Sequence, residues 1–164
     1  MDMFRKHLLG LSTIFIIFII DRISKLYVIN SAESFGQYDV SVNSFLNLTL
    51  IWNEGIAFGL FSFDEKLYYN LLTIFIILVT TVIIWLMSKS KGFEKYSFIM
   101  IIGGSLGNIF DRIFYSAVPD FIDIHINNFH WFIFNVADIF ITLGILCLIS
   151  IEILGNKKFK NENY

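Results

Sequence analysis

Asp120, in Pro119-Asp120-Phe121, and Asp138, closing Asn135-Val136-Ala137-Asp138, are the carboxylates best suited to act together. Two carboxylates brought close in a low-dielectric site cannot both ionise cheaply, so they share a proton and titrate as a unit. The ionised member can then take a proton from water while the protonated member polarises a scissile carbonyl. The plainer reading is a loop aspartate and a helix N-terminal aspartate that interacts with the helix dipole. Asp111 is a second candidate partner for Asp138. Its neighbour Arg112 and its helical frame instead suit a carboxylate held ionised for structure, so Asp120 is preferred.

Other polar groups stand at spacings that could support such a pair. Asp21 and Lys25, in Asp21-Arg22-Ile23-Ser24-Lys25, lie four residues apart on one helix face and can ion-pair locally, either to make each other cheap to bury or to support a site. Asn53-x-Gly55-x-Ala57-Phe58-Gly59 combines a side-chain amide with glycines that permit close approach of an extended peptide, although ordinary turn chemistry also explains them. Asn108 and Asp111 are one helical turn apart, and Arg112 could grip a carboxylate or main-chain carbonyls. Gly103 and Gly107 have the spacing used for close helix contact in membranes. The same stretch formally matches Gly-x-Ser-x-Gly around Ser105, but it lies in a helical span, and no span carries a histidine to activate the serine. A serine protease is therefore the second choice. Asp123, His125 and His130 raise the question of a metal; without a His-Glu-x-x-His helix or a second cluster, no metal and no cofactor is expected.

The elements that must position these groups are membrane helices. The chain has 164 residues, 56% hydrophobic and 16% charged, with one proline, and a mean hydropathy of +0.70. Its apolar residues come in long runs rather than an amphipathic period, which excludes a single large soluble core. Four segments can cross about 30 Å of hydrocarbon: roughly 8–29, 67–87, 96–115 and 134–154. The first follows Arg5 and Lys6 but lacks a small-residue cleavage site and continues through Asp21 and Lys25, so it reads as a retained helix. Lysine and arginine gather at both tails and in the middle loop, at Lys89, Lys91 and Lys95, which predicts cytoplasmic termini. Asp21 then lies roughly 20 Å above the cytoplasmic entry of its span. Asp21, Asp111, Asp120 and Asp138 all converge near the outer interface, where intramembrane ionisable groups are functional candidates.

The fold class expected is an all-α membrane protein, forming one membrane domain over residues 1–164. Four transmembrane helices are joined by a small outer-surface sheet between helices 1 and 2, about residues 34–63, and by an interfacial loop between helices 3 and 4. Leu46, Leu48 and Leu50 alternate with Asn47 and Thr49 as in a half-buried strand, and Asn53-Glu54-Gly55 reads as a turn. The aromatic segment 116–133 reads as interfacial. A net charge of −2 and no basic stripe argue against nucleic acid as a partner. The lone Cys147 excludes an intrachain disulfide and a thiolate metal cluster. The rival class is a non-enzymatic assembly factor or channel subunit whose glycines serve association and whose aspartates line a polar cavity.

Taken in order, Asp21-Arg22-Ile23-Ser24-Lys25, Asn53 to Gly59, Gly103 to Arg112, Asp120-Phe121 and Phe134 to Asp138 resemble the bacterial lipoprotein signal peptidases, or signal peptidase II, from the first span to the fourth. The resemblance implies an intramembrane aspartyl endopeptidase of the bacterial cytoplasmic membrane. It would remove the signal peptide from diacylglyceryl-modified prolipoproteins, cutting N-terminal to the lipidated cysteine, with its active site near the outer face. It implies Asp120 and Asp138 as the catalytic dyad and Asn53, Gly55, Asn108, Arg112 and Asn135 on substrate-binding positions. Asp21, Lys25 and Asp111 fall on supporting positions. Expected partners are the lipid-modified prolipoprotein, membrane lipid and a globomycin-type inhibitor, and the expected state is a monomer. Pro119 departs from the family pattern, in which a valine pair or similar precedes the first catalytic aspartate, and its fixed φ could shift the dyad.

Overall fold

The computed structural model describes residues 3–55, 66–127 and 129–161. Ala57, Phe58 and Gly59 lie outside the described residues. The order of elements is α1 (Met3–Phe35), β1 (Asp39–Asn43), β2 (Leu46–Asn53), α2 (Lys66–Lys89), α3 (Gly92–Tyr115), β3 (Val118–Ile126), β4 (Phe129–Phe134) and α4 (Val136–Asn161). Four helices are long and apolar enough to cross a membrane: His7–Phe35, Leu67–Lys89, Gly92–Tyr115 and Val136–Leu154. The first runs beyond residue 29 through a polar turn, Asn30 to Ser34, and stops just before Gly36, whose φ of +76° is the left-handed conformation in which glycine ends helices.

α3 is the central helix and packs against α1, α2 and α4. Of its most apolar stretch 61% is buried, against 11–17% for the other three, whose remaining apolar side chains face outward as lipid-facing surfaces do. Glycine makes this centrality possible. A Cβ on Gly103 would come within 2.8 Å of Ile17 on α1, one on Gly104 would run into the Ala137 carbonyl of α4, and one on Gly107 into the Asp21 carboxylate. The α4 backbone thus approaches α3 at Gly104, and side chains of α1 press against it at Gly103 and Gly107, where a methyl group would hold them off. Gly103-Gly104-Ser105-Leu106-Gly107 is helical throughout, so it cannot be the strand-to-helix turn that presents a nucleophilic serine.

The strands form one antiparallel sheet in the order β1-β2-β3-β4, set against one end of the bundle through contacts of β2 with α1 and of β3 with α1 and α3. The segment 116–133, expected as an interfacial loop, is instead mostly β3 and β4, so half the sheet comes from between α3 and α4. The difference is one of period: Ile122, Ile124 and Ile126 alternate with Asp123 and His125 as a strand requires, beneath an aromatic content that suggests an interface. Pro119 sits in β3 opposite Trp52 of β2. β4 joins β3 only from Ile122 onward, so the residues around Pro119 form a free edge on that side, where a missing N–H is tolerated.

Candidate active site

The sheet and the bundle meet where β3 delivers Asp120, the end of β2 delivers Asn53 and the start of α4 delivers Asn135 and Asp138. Asp120 is 4% exposed. Its Oδ2 accepts a hydrogen bond from Asn53 Nδ2 at 2.9 Å and its Oδ1 one from Asn135 Nδ2 at 2.6 Å. Asn135 also caps α4. Its Oδ1 accepts from the Asp138 backbone N–H at 3.1 Å, while Asp138 Oδ2 accepts from the Asn135 backbone N–H at 3.1 Å. This is the reciprocal arrangement of a capping box, with Asn in the place of the usual Ser or Thr and Asp in the place of the usual Glu or Gln. One asparagine therefore holds both carboxylates. Burial pushes the Asp120 carboxyl up to about 7, and the neighbouring Asp138 adds to the rise, against the opposing hydrogen bonds from Asn53 and Asn135.

Behind Asp138 lies a buried network joining α1, α3 and α4. Asn108 donates through Nδ2 to Asp138 Oδ1 at 2.8 Å, and its Oδ1 accepts from Lys25 Nζ at 2.9 Å. Lys25 also donates to Asp21 at 2.8 Å and to Asp111 at 2.6 Å, so its three ammonium protons have three partners. Asp21 Oδ1 accepts from the Ala137 backbone N–H at 3.0 Å, which satisfies a free donor in the first turn of α4. Lys25, Asp21 and Asp111 are all fully buried. Asp111 also faces Arg22 at 2.5 Å, and the Arg22 guanidinium lies 4.8 Å from the centre of the Phe110 ring. Two cations thus occupy Asp111, which favours Asp120 over Asp111 as the partner of Asp138.

Arg112 donates to the backbone carbonyls of Asn108 at 3.1 Å and Gly55 at 3.2 Å, tying the turn after β2 to α3. That turn is closed by the Gly55 N–H, which donates to Asn53 Oδ1 at 2.9 Å and fixes the amide whose other end holds Asp120. Hydrogen bonds and ion pairs therefore link every residue singled out in the sequence for catalysis, binding or support. Arg22 is a member of this network that sequence reasoning missed. Its signal was the three-residue spacing from Lys25, which puts both cations on the helix face turned toward Asp111. Asp123, His125 and His130 are gathered apart from this network, on the sheet.

The sequence profile of the signal peptidase (SPase) II family matches residues 13–154. The chain is 53% identical over 154 residues to a lipoprotein signal peptidase of Pelagibacter ubique, covering 94% of this chain and 93% of that one. It is 39% identical to the lipoprotein signal peptidase of Anaplasma phagocytophilum, over 91% of this chain and 94% of that one. A bacterial membrane enzyme solved by the in meso method at 2.3 Å superposes with a TM-score of 0.71 at 27% identity, covering 92% of this chain and 90% of that one. With a family match spanning most of the chain and a relative above half identity, the protein belongs to the signal peptidase II family of membrane proteases.

Proposed function

We propose that the chain is an aspartic endopeptidase that removes the signal peptide from diacylglyceryl-modified prolipoproteins, cutting on the N-terminal side of the lipidated cysteine, with Asp120 and Asp138 as its catalytic pair. The observation that carries this reading is Asn135, whose side chain and backbone grip both carboxylates at once. With Asp120 pushed up to about 7, the pair holds a single proton near neutrality. The ionised carboxylate takes a proton from water as the water oxygen bonds to the scissile carbonyl carbon, and the protonated carboxyl gives its proton to the carbonyl oxygen. When the tetrahedral diol collapses, the C–N bond breaks, the carbonyl re-forms, and its departing proton and the amine's added one both pass through the dyad. The lipidated cysteine leaves as the new N-terminus.

The rest of the site supports that chemistry. Asn108 and Asn135 orient Asp138, Asn53 orients Asp120, and Arg112 and Gly55 hold the turn against which an extended substrate would lie. Asp21, Lys25 and Asp111 lock α1, α3 and α4 in register. The charge distribution of the loops supports cytoplasmic termini in the bacterial cytoplasmic membrane, with the sheet and the dyad at its outer face. There a lipid-modified helix enters sideways, its acyl chains staying in hydrocarbon and its scissile bond at the interface. A single membrane domain acting as a monomer, open to a globomycin-type cyclic peptide at the same site, completes the reading. The test is cleavage of a purified diacylglyceryl-modified prolipoprotein in detergent by wild type, Asp120→Asn and Asp138→Asn, each checked for folding by circular dichroism. Loss in both folded variants supports the pair. Retained cleavage in Asp120→Asn alone moves the pair to Asp111 and Asp138.

A further inference from the structure

On the sheet, away from the carboxylate pair, polar side chains are collected whose needs the protein does not meet. Asp123 is 2% exposed and His125 9%. They stand two residues apart on β3 and therefore point to one face of the sheet, and His130 of β4 is directly opposite His125. The imidazole rings stack with centres 5.2 Å apart, and His130 Nδ1 lies 2.7 Å from Asp123 Oδ2. One ligand atom from each of the three residues falls within 4.8 Å of the others.

The cluster is short of donors and of positive charge. Asp123 Oδ1 and His125 Nδ1 are buried without a hydrogen-bond partner, and so is the side-chain oxygen of Asn47, directly opposite Asp123 on β2. A buried carboxylate oxygen left unpaired is costly, and a cation beside it removes the cost. Among the described residues the only ion-pair partner of Asp123 is His130 itself. The donor set of two imidazoles and one carboxylate suits zinc and similar first-row ions, and no thiolate that would favour a softer ion is present in the cluster. A tetrahedral ion with bonds of about 2.1 Å needs ligand atoms about 3.4 Å apart. The His130 side chain, 52% exposed, has room to turn from its 2.7 Å contact with Asp123 to that spacing.

We propose that Asp123, His125 and His130 bind one divalent transition-metal ion of the zinc type, leaving a fourth position to water, and that the ion staples β3 to β4. Three residues upstream on the same strand is Asp120, so the ion would steady the strand that carries half of the carboxylate pair.

The experiment uses the full chain in detergent, purified without a histidine tag, stripped with a chelator and titrated with Zn²⁺ against a chromogenic competitor. Expected is one Zn²⁺ per chain for wild type and for His7→Ala, with affinity at least tenfold weaker for His130→Ala and Asp123→Asn. Thermal denaturation gives a second readout: Zn²⁺ raises the midpoint of wild type and not that of His130→Ala. Because Asp123 is buried, circular dichroism checks its variant, and the exposed His130 supplies a substitution the fold tolerates. Co²⁺ is the third probe, with ligand-field absorption that His130→Ala loses. Absence of stoichiometric Zn²⁺, unchanged affinity in folded His130→Ala, or loss of binding in His7→Ala would each overturn the assignment.

Discussion

Replacing Lys25 by Met tests whether the buried network is held by charge balance. Asp21 and Asp111 contribute two negative charges and Arg22 and Lys25 two positive ones, all buried, so the network is neutral as it stands. Methionine keeps the approximate length of the side chain but removes one charge and three hydrogen bonds, leaving a net negative charge among fully buried groups. Breaking a buried pair from one side costs about 3 to 5 kcal/mol, a large share of a total stability of about 5 to 15 kcal/mol. Asp111→Asn alone strands the surplus positive charge and should cost a similar amount. The double variant Lys25→Met/Asp111→Asn is neutral again, so its loss should fall short of the sum of the single losses by roughly 2 kcal/mol or more, within the range seen for contacting residues. The assay is reversible unfolding in mixed micelles, followed by circular dichroism for the four proteins of the cycle. Additive losses would refute the reasoning, because Lys25 and Asp111 would then not be compensating each other.

Further outcomes follow from the same geometry. Cleavage should fall as pH rises through about 7, where Asp120 loses its proton, and fall again in acid as the second carboxylate is protonated. Since the Asn53 hydrogen bond holds the Asp120 pKa down, Asn53→Ala should move the alkaline limb of a folded variant to higher pH, and an unmoved or lowered limb counts against the assignment. The same raised pKa favours the fold below the ordinary carboxylate range, and that contribution fades as pH rises through about 7; Asp120→Asn should flatten this part of a stability–pH curve. Gly104→Ala drives a methyl group into the Ala137 carbonyl and to 2.8 Å from Ile141, so a loss of about 1 to 3 kcal/mol is expected in the same unfolding assay. Ser105→Ala should leave prolipoprotein cleavage near wild type, since Ser105 lies in an unbroken helix; a collapse of activity in the folded variant would revive a serine nucleophile.

Much of the site was legible because its residues are expensive where they stand. An ionisable group inside an apolar run is conspicuous, and Asp21, Lys25, Asp111 and Asp138 all announce themselves that way. Helical spacing was enough to pair Asp21 with Lys25, which the structure does at 2.8 Å. The alternation from Leu46 to Leu50 likewise identified β2. Arg22 was passed over because its partner, Asp111, is far away in sequence, and only the packing of α1 on α3 brings the charges together. The strands β3 and β4 were hidden for a different reason: aromatic residues mark both a membrane interface and a sheet, and composition cannot separate the two when the alternating run is short.

The order of polar motifs along four apolar runs by itself determined the family and the number of helices, and nominated the candidate carboxylates, because each depends on residue type and local spacing. Only the tertiary structure decided the partnerships. Asn135 bridging Asp120 and Asp138, Lys25 reaching Asn108 and Asp111 as well as Asp21, and Asp123 of β3 meeting His130 of β4 all require separate elements to meet at fixed distance and angle. Hydrogen bonds and ion pairs fail over an ångström or two. A sequence pattern constrains which face of an element a residue occupies, and leaves to the packing of the elements on one another, here at Gly103, Gly104 and Gly107, what that face will touch.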